Sequence, residues 1–261
     1  NLASGAEPGG TDGDNANGDL TIDFGFFAPL NLGNLVWNDA NNNGQVDPGE
    51  AGLDGVLIQL FSAGQNQLVD APLASDTTSG GGLYDFTGLN PGQYFVYIPT
   101  PPADFPRSSE PTDTADNGQD NDDNGTQAST GAPVTSPVIT LSANEEPTAD
   151  GDGNNGDLTI DFGFYEPLSL GNIVWFDADN SGTVNGAEAG INGVTVQLYT
   201  LAQTPGVDAP VATDTTAGGG YYLFDNLIPG DYVVFIPAAN FTGALTDHVS
   251  STPTEATPNS D

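Results

Sequence analysis

Short apolar runs broken by polar and glycine-rich punctuation set the rhythm of this chain. Residues 55–61 (GVLIQLF) and 193–199 (GVTVQLY) alternate in part and are rich in β-branched side chains. Residues 94–98 (YFVYI) and 232–236 (YVVFI) are short and aromatic, and residues 20–26 read LTIDFGF. A period near two in Val, Ile, Phe and Tyr is the signature of strands, and none of these runs reaches helix length. Between them lie clusters such as residues 79–82 and 217–220, which are turn chemistry. Short strands at intervals of about 8 to 12 residues predict a β-sandwich.

The pattern occurs twice. Residues 18–26 (GDLTIDFGF) return unchanged as residues 156–164, a period of 138. The same offset carries LGNLVW at 32–37 onto LGNIVW at 170–175, VDAP at 69–72 onto 207–210, and Pro91-Gly92 onto Pro229-Gly230. A period this long marks one structural unit used repeatedly. Three segments follow: residues 1–29, the end of a preceding repeat with a closing strand at 20–26; residues 30–166, a complete sandwich closed by LTIDFGF at 158–164; and residues 167–261, a second sandwich lacking its closing strand. An open sandwich exposes strand edges and apolar core, so a supplied strand would relieve it. The expectation is head-to-tail association of copies or neighbouring repeats, with residues 1–29 completing the sandwich formed by residues 167–261.

Charge narrows the partners. Thirty-six acidic residues against one base give a net charge of -35, which excludes a basic surface for nucleic acid or an anionic bilayer and makes cations the natural partners. Cysteine is absent, so neither a disulfide nor a thiolate site is available. No apolar run approaches the length of a membrane span, no signal-peptide pattern stands at Asn1, and no methionine is present, so a processed or partial chain is expected.

One motif carries chemistry. Asp39, Asn41, Asn43, Gly44, Gln45, Asp47 and Glu50 fit the twelve-residue calcium loop: side-chain oxygens at positions 1, 3, 5 and 9, glycine at the sharp turn, a backbone carbonyl at Gln45, and a glutamate able to bind through both oxygens. Asp177, Asp179, Ser181, Gly182, Thr183, Asn185 and Glu188 repeat the order. The rival is an Asn/Gly-rich turn without metal. A helical module is opposed by the flanks, where Leu-Val-Trp37 precedes and a glycine-containing β-branched stretch follows Glu50.

With these residues in place, the chain resembles the B-type repeat domains of bacterial serine-aspartate-repeat adhesins and the B-type modules of collagen adhesins. The likeness rests on Gly33-Asn34 to Trp37, the calcium loop, Gly52 to Val56, and Tyr84-x-Phe86-x-x-Leu89-x-Pro91-Gly92-x-Tyr94, with Gly190 to Val194 and Tyr222 to Tyr232 in the second copy. It implies tandem immunoglobulin-like, all-β sandwiches that bind several calcium ions and serve as rigid spacers on a bacterial cell surface. Lysine is absent, so the Lys-Asn cross-link of many such modules cannot form here.

Other acids have two readings. Asp12, Asp14 and Asp19 recur as Asp150, Asp152 and Asp157, and a further run holds Asp113, Asp116, Asp120, Asp122 and Asp123. Either these loops meet at one end of the sandwich and share further calcium, or they are solvated linkers. Asp76 and Asp214, equivalent across the copies, read as turn formers, with metal ligands as the alternative. Enzyme chemistry is not expected: His248 and Arg107 are the single histidine and single base. Asn124-Gly-Thr126 and Asn240-Phe-Thr242 fit the glycosylation sequon. Trp37 and Trp175 read as core residues. The functional expectation is a secreted or cell-surface, calcium-stabilised filament or stalk component; the alternatives are a ligand-binding adhesin region with an unknown surface ligand, and a spacer beside an enzyme domain.

Overall fold

The computed structural model describes residues 22–110, 118–186 and 188–251. The first unit contains β1 (Leu30–Asn38), β2 (Leu57–Ser62), β3 (Ala74–Thr77), β4 (Leu83–Leu89), β5 (Gly92–Ile98), β6 (Arg107–Ser108), β7 (Thr126–Gln127), β8 (Val134–Thr135), β9 (Ile139–Leu141), β10 (Gly156–Asp157) and β11 (Phe162–Tyr165). The second contains β12 (Leu168–Ile173), β13 (Thr195–Thr200), β14 (Ala212–Thr215), β15 (Tyr221–Leu227) and β16 (Tyr232–Phe235), then a 3-10 turn at Ala238–Thr242. Both units are β-sandwiches, and the described residues are all-β apart from that turn.

In the first sandwich β1 is the hub of one sheet. It pairs with β4 along one edge and, along the other, in parallel with β10 and then β11. The facing sheet runs β3-β2-β5-β8-β7, with β9 also on β5. Inward side chains of the two sheets meet in one core containing Leu32, Val36, Ile58, Leu60, Val96, Ile98, Phe162 and Phe164. Phe61, Phe95 and Tyr97 form a small aromatic cluster of their own, the two phenylalanine rings stacked at 5.3 Å.

The closing strand differs from the continuous one read from LTIDFGF at 158–164. Only its end, from Phe162, is strand; residues 158–161 separate β11 from the short β10 before them, and the register changes across that gap: Leu32 faces Asp157, whereas Val36 faces Phe162. Asp161 causes the break. Its Oδ1 accepts the Leu35 amide at 2.9 Å and its Oδ2 the Asn121 amide at 2.9 Å, so a carboxylate stands in for a backbone carbonyl in the ladder. Gly163 can only be glycine, because an added Cβ would lie 2.8 Å from the Trp37 ring and 2.3 Å from Ser109 Oγ.

The second sandwich keeps the same local pairings. β12 pairs with β15 as β1 does with β4, and β13 lies between β14 and β16 as β2 does between β3 and β5. Its core is smaller: Val194, Val196, Leu198, Phe224, Leu227 and Leu245. Among the described residues no strand pairs with the other edge of β12. Residues 22–26, read as part of a strand, carry no secondary structure, and Ile22, Phe24 and Phe26 are exposed.

Candidate metal centre

Both calcium-type loops fold by the same side-chain rules. Asp39 heads the first loop, its Oδ1 accepting Asn43 N at 3.1 Å and its Oδ2 accepting Gly44 N at 2.8 Å. Glu50 closes it from the far end, with Oε1 on the Ala40 amide at 2.8 Å and Oε2 on the Asp47 amide at 3.0 Å. The second loop repeats each contact: Asp177 accepts Ser181 N and Gly182 N at 3.0 and 2.9 Å, and Glu188 accepts Ala178 N and Asn185 N at 2.8 and 3.0 Å. Gly44 and Gly182 take φ near +72° and +76°, the sharp turn for which position six needs glycine.

The interiors of the loops differ. Asn41 and Asn43 donate their Nδ2 groups to Asp47 Oδ2, both at 2.8 Å, so two amide dipoles point their positive ends at that carboxylate. In the second loop Asp177, Asp179 and Glu188 bring oxygens within 4.8 Å of one another. Ser181 Oγ lies 3.2 Å from the Thr183 carbonyl, and Asn185 Nδ2 reaches Asp179 Oδ2 at 3.2 Å. The Ser251 hydroxyl first, with the Gly182 and Ser181 amides, holds the Asp177 carboxyl below the usual carboxylate range. An all-oxygen set with three carboxylates on one turn of chain fits a hard divalent cation such as calcium. In the first loop the same ion requires Asn41 and Asn43 to turn their oxygens inward.

What surrounds the loops also differs. The first is clamped by the acidic segment at residues 118–125: Asp123 N donates to Gly44 O at 3.0 Å, Val46 N to Asn121 O at 3.0 Å, and Gln45 bridges Asp122. Asp39 itself is buried, and its amide donates to the Phe164 carbonyl of β11 at 2.8 Å.

The acidic segment meets the Asp161 region as well, through an Asp123–Asp161 bridge and Asn124 Oδ1, which accepts the Asp161 amide at 2.8 Å. Burial pushes the Asp161 carboxyl well above the ordinary range, the Asn121 amide opposes that, and Asp120 adds to it. Asp120 takes Asn34 Nδ2 at 2.7 Å, and Asp122 takes Gln119 Nε2 at 2.8 Å.

Asp157 lies in β10, and Asp150 and Asp152 lie in the loop that precedes it. Asp150 Oδ2 accepts Leu158 N at 3.0 Å, and Asp157 Oδ1 accepts both the amide and hydroxyl of Thr159. Burial raises the Asp152 carboxyl, with Asp150 adding to it, and burial likewise raises Asp85, with Asp152 and Asp76 adding to it. Asp150 Oδ1 and Asn154 Oδ1 are shut from solvent without a hydrogen-bond partner among the described residues. Asp12, Asp14, Asp19, Asp113 and Asp116 lie outside the described residues. Asp76 and Asp214 sit at matching places, each accepting an amide of the neighbouring strand, from Asp85 and Leu223.

Sequence reading missed three structural polar residues. Asp161 was read as an ordinary strand position, although an acid between apolar residues in both copies was the available signal. Asn124 and Asn240 matched a sequon, but both are buried, and Asn240 ties off the Thr195 amide and carbonyl at 2.8 and 2.9 Å. A side chain so enclosed is closed to glycan attachment. Arg107 pairs with Glu110 at 2.5 Å, and His248 packs edge to face on Phe176. No helix among the described residues is long and apolar enough to cross a membrane.

Comparison with known proteins follows the repeat. The chain is 36% identical over 231 residues to serine-aspartate repeat-containing protein D of Staphylococcus aureus, covering 87% of this chain and 15% of that protein. It is 35% identical over 217 residues to serine-aspartate repeat-containing protein F of Staphylococcus epidermidis, covering 82% of this chain and 11% of that one. The chain thus spans a small part of these relatives. Among solved structures, the minor pilin GBS52 of Streptococcus agalactiae aligns at 15% identity and a TM-score of 0.28, over 80% of this chain and 83% of the pilin. The sequence pattern of the SdrD B-like domain matches residues 30–163 and again residues 168–260, one match per sandwich, and the chain belongs to that family.

Proposed function

We propose that the chain is a calcium-stabilised structural module of a bacterial extracellular filament or cell-surface stalk, in which units join head to tail by strand donation. The observation that carries this is the repeated oxygen loop, whose end residues are fixed by backbone amides in the same way in both sandwiches. Metal that binds only the folded state adds its binding free energy to stability. In a chain without disulfides or lysine, calcium held by Asp39, Asn41, Asn43, Gln45, Asp47 and Glu50, and by Asp177, Asp179, Ser181, Thr183, Asn185 and Glu188, is the available staple. The ion would neutralise local carboxylate repulsion in a strongly anionic protein and stiffen each loop against the strands it joins. Asp150, Asp152 and Asp157, with inward oxygens at Asp150 and Asn154, support a further site. With no cysteine or lysine and a single histidine in the sequence we assign no catalysis, and the staphylococcal serine-aspartate repeat relatives favour a surface location. The test is calorimetric: calcium titration of the metal-stripped chain should show at least one ion per sandwich and a higher melting temperature. A melt indifferent to calcium and chelator refutes the proposal.

A further inference from the structure

The turn that leads into β10 encloses oxygens that lack donors among the described residues. Asp150 Oδ1, Asp152 Oδ1, Asp152 Oδ2 and Asn154 Oδ1 each expose less than 1 Å² and have no hydrogen-bond partner. The whole Asp152 carboxylate is therefore shut from water with nothing facing it. A carboxylate so enclosed is costly unless a positive charge joins it, and the chain's single Arg or Lys, Arg107, is paired with Glu110. The other atoms of the turn are spoken for and hold it on the sheet. Asp150 Oδ2 accepts the Leu158 amide at 3.0 Å, Asn155 Nδ2 donates to the Asp152 carbonyl at 2.9 Å, and the Asn155 carbonyl accepts the Asn31 amide of β1 at 2.9 Å. Asp157 belongs to this framework, since its Oδ1 takes the Thr159 amide and hydroxyl. The spacing Asp150-x-Asp152-x-Asn154 is that of positions 1, 3 and 5 of the twelve-residue loops, but no glycine follows at position 6. Gly151 and Gly153 curl the turn instead, with φ of +102° and +85°.

Resting on the calcium reading above and extending it, we infer that Asp150 Oδ1, the Asp152 carboxylate and Asn154 Oδ1 hold a calcium ion of their own, and that this ion fastens β10 to β1. The site is separate from the first twelve-residue loop. β10 pairs with Asn31 and Leu32 near the start of β1, whereas that loop follows Asn38 at its end, about 20 Å away at the usual rise of a strand. Three carboxylate oxygens and one amide oxygen in an irregular turn suit calcium, which accepts bidentate carboxylates and tolerant geometry, better than magnesium, which demands a near-ideal octahedron. Asp85 adds charge from the side. It stands on β4 opposite Gly33 of β1, a residue with no side chain, and after burial the Asp152 charge raises its carboxyl. The acidic turn and β4 therefore lie close across β1. Because the ligands and the Asn155 carbonyl share one short turn, an ion that fixes the turn also fixes the hydrogen bond to Asn31, and with it the pairing of β10 on β1.

Calcium titration calorimetry of the metal-stripped 261-residue chain tests this, in a background of Glu50→Ala and Glu188→Ala that weakens both twelve-residue loops. That double variant should still bind calcium. Adding Asp152→Asn or Asn154→Ala should remove one ion or weaken its binding about tenfold or more, and Asp85→Asn should weaken it less. In the double variant calcium should slow amide exchange at Leu158 and Asn31, and Asp152→Asn should abolish that slowing. The melting curve supplies a sign that a purely structural carboxylate does not give. In chelator Asp152→Asn should melt no lower than the unsubstituted chain, because it removes a charge crowded by Asp150 and Asp85; in calcium it should melt lower. Residual calcium binding indifferent to Asp152→Asn, Leu158 and Asn31 amides blind to calcium, or an equal loss of melting temperature in calcium and in chelator overturns the inference. If the double variant binds no calcium while the unsubstituted chain does, this site is wrong and the loop reading stands. If the unsubstituted chain binds none, the calcium reading itself falls.

Discussion

The two sandwiches share sequence, turn chemistry and loop hydrogen bonds, yet among the described residues one has its β1-type edge covered and the other does not. In the first, β10 and β11 bury Leu30, Trp37 and Asp39. In the second, Leu168 is exposed, Trp175 and Asp177 are partly exposed, and the core is correspondingly small. The turns are indifferent to this: Asp54 Oδ1 caps the amides of Gly81 and Gly82 in one unit, and Asn192 Oδ1 caps Gly219 and Gly220 in the other. Local geometry is thus set within each segment, whereas burial is set by whether the closing strand is there. Among the described residues, coverage of that edge distinguishes two domains whose strand pairings and turns match, alongside the acidic segment that clamps only the first loop.

The largest test of that contrast substitutes the same residue in its covered and uncovered settings. Phe162→Ala should cost the first sandwich about 3–5 kcal/mol, the usual loss for a buried phenylalanine, whereas Phe24→Ala should stay within about 0.5 kcal/mol in dilute monomer. Two denaturant titrations decide it, and equal effects would erase the distinction. On the receiving strand, Leu30→Ala should cost about 2–5 kcal/mol and Leu168→Ala clearly less, because Leu168 is already half in water; differential scanning calorimetry reads both transitions.

Metal removal comes next. With calcium a hundredfold above its dissociation constant, chelation should withdraw about 2.7 kcal/mol per site. Glu50→Ala should abolish this for the first transition and Glu188→Ala for the second, without crossing over.

The smallest effect is on pH. A carboxyl whose folded-state pKa lies above its unfolded value holds its proton more tightly when folded, so folding gains as pH falls through the folded pKa and loses as pH rises through it. Burial puts Asp161 in that class. In chelator, mild acidification from neutrality should raise the first melting midpoint, and Asp161→Asn should flatten that slope. Asp177 has the opposite sign, since its lowered carboxyl favours folding above the unfolded pKa and loses that contribution as pH falls through the folded one. The second transition should therefore gain less from acidification.

The sequence by itself determined the elements that depend on neighbours along the chain. The apolar runs at 55–61 and 193–199 became β2 and β13, the runs at 94–98 and 232–236 became β5 and β16, and the glycines at 80–82 took the positive φ that their turn needs. The two oxygen loops were legible for the same reason, because position-specific carboxylates and a turn glycine act within twelve residues. Only the tertiary structure decided that the ladder would be interrupted before Phe162, that the sequon asparagines Asn124 and Asn240 would be buried, and that the acidic segment at 118–125 would clamp one of the oxygen loops. It also decided that the identical residues 22–26 and 160–164 would be exposed in one place and buried in the other. Those outcomes rest on contacts between segments far apart in sequence, and a strand's own residues do not say whether an edge is there to receive it.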